Sequence, residues 1–199
     1  MDIVAALDRI QATSFAIGIR DSLLIFPLLE SVHVIGLAVF FGTIAVIDLR
    51  LLGLASTARS FERIAKDVFT WSWAAFALTA TTGVLMFITN AVVYFNNTWF
   101  RAKVLLLVLA AINVIVFELT ARRSVQAWDR SPAAPPSGKA VATLSLVIWV
   151  AVIFAGRMIG FTATRTSLDA PPPAEINFED LLGLPAGGGA APEAPPANE

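Results

Sequence analysis

The chain has 199 residues, 57% of them hydrophobic and 15% charged, with a mean hydropathy of +0.74. A soluble domain of ordinary make-up is nearer half apolar and a quarter charged. Here Lys, Arg, Asp and Glu almost vanish from four long stretches, so the composition describes a polytopic membrane protein and argues against a soluble enzyme, a nucleic-acid binder or an extracellular disulfide scaffold. Cysteine is absent, which excludes a disulfide, a thiolate metal site and a cysteine nucleophile.

In chain order, residues 1–20 come first. Ile3, Val4, Leu7 and Ile10 fall at helical spacing, with Asp2, Asp8, Arg9 and Gln11 on the other side. This predicts a short amphipathic helix lying in the membrane surface; without a basic region ahead of it, it does not read as a secretory signal peptide. Residues 21–164 then form the expected bundle. A bilayer core of about 30 Å needs about 20 apolar residues of helix, and four segments qualify, at about 22–47, 68–94, 100–119 and 140–162. Trp71, Trp73 and Trp99 sit where an interfacial belt is expected. No internal repeat is visible.

Residues 165–199 form an acidic tail. It holds Asp169, Glu175, Glu179, Asp180, Glu193 and Glu199, and seven of the eleven prolines. Such a segment cannot bury enough apolar surface to offset its chain entropy and is expected to be mostly disordered. Within it, residues 175–185 (EINFEDLLGLP) carry a short apolar island that reads either as a docking segment for a partner or as part of a linker. The fold class expected is therefore all-α: an integral-membrane four-helix bundle with an N-terminal interfacial helix and a disordered C-terminal tail.

The loops joining the first and second spans and the third and fourth hold eight Lys and Arg. The opposite side holds Arg9, Arg20, Arg101, Lys103 and Arg165. The positive-inside rule then puts both termini on the periplasmic side of a bacterial inner membrane.

Converting position to depth at 1.5 Å per residue gathers the polar residues of all four spans in the outer half. Glu30 lies roughly 12 Å deep and His33 roughly 16 Å, against roughly 12 Å for Met86 and roughly 8 Å for Arg157. Lys103 is shallower, and its long stem permits snorkelling. Glu30 and His33 are i,i+3 and share a face. Ser72, Thr79, Thr82, Gly83, Met86 and Asn90 form a polar and small stripe on the second span that favours the bundle interior. Gly156 and Gly160 make a small-xxx-small face beside Arg157. Charges within a span tend to pair, so the simplest expectation is an ion pair of Glu30 with Arg157 or Lys103, with His33 bonded into the same network. Asp48 and Arg50 read as an anchor at the inner helix terminus, and Glu118 with Arg122 as an i,i+4 surface pair.

His33 is the only histidine. That excludes a multi-His zinc site, and a bis-His haem within one chain. A haem b would need His33 with Met86 or Met158 as second ligand, a five-coordinate iron, or two His33 residues across a dimer, with Arg157 or Lys103 holding propionates. Copper at His33 is the other metal reading. Glu30-x-x-His33 occurs once, whereas carboxylate-bridged di-metal bundles need the motif twice. No Ser–His–Asp set or phosphate loop is present.

Glu30-Ser-Val-His33 with Gly36, Asp48-Leu-Arg-Leu-Leu-Gly53, Phe100-Arg-Ala-Lys103 and Gly156-Arg157 together resemble an uncharacterised family of four-span proteobacterial inner-membrane proteins, over about residues 20–163. The resemblance implies a membrane bundle and signature residues, and no reaction. More remotely, the layout is similar to CopD-type and HemJ-type membrane bundles, some of which are associated with haem or copper.

The expected role is non-catalytic or redox-accessory: a bundle, alone or as a homo-oligomer or part of a larger membrane complex, that binds a cofactor or small molecule in its outer half. Haem b is the best single candidate. The alternative is a structural or assembly subunit in which Glu30, His33 and Arg157 clasp the helices. A small transporter is the third reading, disfavoured by the lack of an ionisable chain toward the inner side.

Overall fold

In the computed structural model, residues 3–168 are described, with side chains to Thr162. The tail, its island at 175–185 and the expectation of disorder lie outside the described residues. Helices α1 (Ile3–Gln11), α2 (Ser14–Arg20), α3 (Ile25–Leu52), α4 (Phe61–Thr89), α5 (Ala91–Asn96), α6 (Thr98–Leu119), α7 (Val125–Trp128) and α8 (Pro136–Leu168) follow in order, with a 3₁₀ turn at Ala121–Ser124. Among the described residues there is no strand. Among these residues four helices are long and apolar enough to cross a membrane: α3, α4, α8, and α6 with the short segments that follow it. The loop end of the bundle carries the connections 53–60 and 120–135; the terminal end carries α1, α2 and α5.

The helix ends follow from local chemistry. The N-terminal segment is two helices rather than one, because the Thr13 hydroxyl accepts from the Ala16 N–H and starts α2. Ala16 and Ile19 of α2 are buried, while Ile3, Val4 and Ile10 of α1 stay exposed, as an interfacial face requires. Helix α4 is capped by the Ser60 hydroxyl and by Asp129 Oδ1, which accepts from the Glu62 N–H at 2.9 Å. Asn97 Oδ1 accepts from the Trp99 and Phe100 N–H groups and opens α6. Helix α3 ends at Gly53, with φ +78°, the left-handed conformation usual at a helix C-terminus. A Cβ there would also lie 2.7 Å from Ala133 Cβ.

Of the helix boundaries that differ from the sequence expectation, two turn on polar residues. Helix α3 continues past Ile47 to Leu52, because Asp48 and Arg50 are buried rather than placed at an interface. The second span stops at Thr89 rather than reaching Tyr94. The chain breaks at Asn90 (φ −143°, ψ 49°), and the Val92 N–H that the break leaves unpaired is taken by Gln11 Oε1 at 3.1 Å, so that α1 packs against α5.

The interior has two apolar clusters. At the loop end, Leu51, Phe61, Ala121, Val125, Trp128, Ala134 and Ala142 meet. At mid-height, Ala110, Ile148, Trp149 and Val152 pack with Phe40, Phe41, Ile44 and Leu106. There Phe40 meets Trp149 edge-on at 4.9 Å and Phe76 at 5.5 Å. The outward faces of the spans are apolar, for example Leu105, Val108, Ile112 and Ile115 on α6 and Val147, Val150 and Phe154 on α8. Lipid solvates such faces, so they need no protein cover.

Candidate functional site

The terminal half of the bundle is organised by the close approach of α3 and α4. A Cβ on Gly36 would lie 2.7 Å from Thr79 Oγ1, and one on Gly83 would lie 3.1 Å from His33 Cε1. These two glycines let the helices approach until the His33 imidazole rests on α4. His33 Nδ1 is 3.0 Å from Thr82 Oγ1. The Thr82 hydroxyl donates its one hydrogen to a backbone carbonyl, Leu78 O at 2.8 Å or Thr79 O at 3.2 Å. With the hydrogen so placed, its oxygen is free to accept from His33 Nδ1–H, the tautomer that in the neutral ring leaves the lone pair on Nε2.

Lys103 enters from α6. It lies within electrostatic range of His33, and its Nζ would be 3.7 Å from a Cβ on Gly156 of α8. Gly156 thus leaves room for the ammonium group. Lys103 is half-buried, and among the described residues it has no hydrogen bond and no ion pair. Glu30, one turn before His33, is exposed and lies near Tyr94 of α5. Burial, reinforced by the Glu30 charge, holds the Tyr94 phenol above the ordinary tyrosine range.

The structure separates residues that the sequence had grouped. The described ion pairs are Arg20–Asp21 and Arg122–Glu118, the second as expected from its i,i+4 spacing; the Glu30 pair with Arg157 or Lys103 is not among them. Arg157 is exposed, with its guanidinium over the Phe161 ring at 5.2 Å. One residue along from the inward Gly156, it is turned about 100° around the helix. Met86 and Met158 are half-buried on α4 and α8, and their carbonyls accept from the Thr89 and Thr162 hydroxyls. Among the described residues no group of three or more metal-ligating side chains is assembled. The structure therefore joins His33, Thr82, Lys103 and Gly156, places Glu30 with Tyr94 at the rim, and leaves Arg157 outside.

At the loop end the structure adds what the sequence reading passed over. Arg50 is fully buried. Its Nε donates to Arg59 O at 3.0 Å, Nη1 to Pro132 O at 3.3 Å, and Nη2 to Asp129 O at 3.1 Å and Ser131 O at 2.9 Å. One guanidinium thus ties both loops to the end of α3. Asp48, 5% exposed, is the second buried charged residue of this run. The signal was present in DLRLLG: an Arg in an apolar helix must find acceptors, and here they come from loops up to 82 residues away.

These features define a class: an all-α protein with four helices able to span a membrane and a histidine and a lysine brought near each other between them. Residues 15–162 match the family of unknown function DUF6644, which covers most of the chain, and the protein belongs to that family. No curated protein and no solved structure matches the chain.

Proposed function

We propose that the terminal half of the bundle binds an anionic small molecule or cofactor, with haem b as the specific candidate. The observation that carries this reading is Lys103. A half-buried ammonium with no ion pair among the described residues is costly within a membrane span, and an anionic ligand removes that cost. His33 adds a ring nitrogen whose orientation is fixed from behind by Thr82, the arrangement commonly found behind ligating histidines. In this reading His33 Nε2 holds the iron and Lys103 a propionate. Met86 and Met158 are the further side chains that would hold the iron, and bound haem would supply one-electron redox chemistry. Arg157, turned outward, takes no part. The setting proposed is a bacterial inner membrane with this half toward the periplasm, where the Lys/Arg asymmetry puts it.

Titration of the purified protein with haemin tests the reading. A saturable Soret change is expected, weakened at least tenfold in Lys103→Gln and abolished in His33→Ala. Non-saturable partitioning that both variants share would overturn it.

A second reading has its own observation. The His33–Thr82 hydrogen bond joins α3 to α4, and in a structural or assembly subunit that bridge would be the purpose of the histidine. The protein would then be colourless, and His33→Ala would cost stability alone.

A further inference from the structure

Asp48 is used by neither reading. It is 95% buried by its 5% exposure, and its Oδ2 has no hydrogen-bond partner among the described residues. Ser72 Oγ on α4 is likewise sealed from solvent and unpartnered. Buried polar oxygens rarely lack a partner, and the usual remedy is an ordered water.

Helix register brings these residues within about one and a half helical turns of one another. On the antiparallel pair α3–α4, Gly36 faces Thr79 and His33 faces Thr82, so equal steps along both helices put Ser72 opposite position 43. On α3–α8, Phe40 faces Trp149, which puts Ser145 opposite position 44. Side chains on a helix tilt toward its N-terminus, and this carries the Asp48 carboxyl from its own position up toward the same level. Ser145 does face that carboxyl. Just beyond, the Phe40–Phe76–Trp149 layer separates this pocket of polarity from His33 and Thr82.

We propose that Asp48, Ser145 and Ser72 form a proton-binding site inside the membrane, in which Asp48 carries its proton and a water bridges Asp48 Oδ2 to Ser72 Oγ. The neighbours decide the protonation state. Helix α4 offers Ser72 and α8 offers Ser145, both neutral; Arg50 on α3 itself is engaged by four loop carbonyls. An ionised carboxylate would therefore stand in the span without a cation, which is far more costly than a neutral acid. Four side-chain oxygens, two of them on one carboxyl, are also too few for a hard metal cation such as calcium, which takes six to eight. A protonated carboxyl has a donor for the water and an acceptor for Ser145.

Infrared spectroscopy of the full chain reconstituted in lipid at neutral pH tests this site without reference to haem. A carboxylic C=O band that shifts in D₂O is expected in the wild type. It should disappear in Asp48→Asn and move in Ser145→Ala and in Ser72→Ala. Should Asp48→Asn fail to fold, the two serine variants keep the carboxyl and report on it independently. Absence of the band in the wild type, a band unmoved by both serine variants, or one that is lost when sodium chloride replaces choline chloride, overturns the proposal; the last result would mean a sodium site.

Discussion

Arg50 carries five N–H donors into the loop end and gives four of them to backbone carbonyls. Those carbonyls belong to turns that no helix ladder satisfies, so the side chain replaces missing secondary structure. Arg50→Met should cost about 3–5 kcal/mol, because breaking a buried, hydrogen-bonded charged site leaves its partners stranded. Unfolding in detergent measures this, and an unchanged midpoint would contradict the latch. At the other end of the bundle, Tyr94 is the only tyrosine, which makes its ionisation readable in the ultraviolet spectrum. Burial and the Glu30 charge raise its folded-state value. Above the ordinary tyrosine range the unfolded chain therefore gives up this proton before the folded one does, and stability falls as pH rises through that window. Glu30→Gln removes one of the two causes, so it should move the phenol titration downward and soften the alkaline fall. An identical titration in the variant would mean that Glu30 does not act on Tyr94.

Helices α3 and α4 approach closely because each presents a glycine to a polar side chain of the other. Gly83→Ala puts a Cβ 3.1 Å from His33 Cε1. The imidazole must shift, and overpacking of this kind costs about 1–3 kcal/mol. The His33 ¹⁵N resonances should move as the Nδ1–Thr82 bond lengthens; a variant with wild-type stability and spectra would show that the contact is loose. The stripe from Ser72 to Met86 was legible because small and polar residues recur at helical spacing in an otherwise apolar span. The break at Asn90 was not, since neither Gly nor Pro marks it and the acceptor that satisfies Val92 lies on Gln11, 81 residues earlier. Arg157 misled for a related reason. Depth along the helix placed it beside Glu30, but its direction around the axis points it at Phe161.

Across the whole molecule, hydropathy sufficed for four spans, since length and apolarity are what crossing a bilayer demands. The division into two polar regions was hidden. It depends on which residues stand at the same level on different helices, and the aromatic layer of Phe40, Phe76 and Trp149 shows that only when three chain segments are superposed. One region holds His33 and Lys103, the other Asp48, and the loop latch closes the end nearest the second. The central claim concerns the first region. It is tested most directly by the absorption spectrum of the protein purified in mild detergent from haem-replete cells, oxidised and dithionite-reduced, beside His33→Ala. The account predicts a Soret band and sharp reduced α and β bands that His33→Ala abolishes. A flat spectrum from well-folded wild-type protein that also fails to take up added haemin would contradict it.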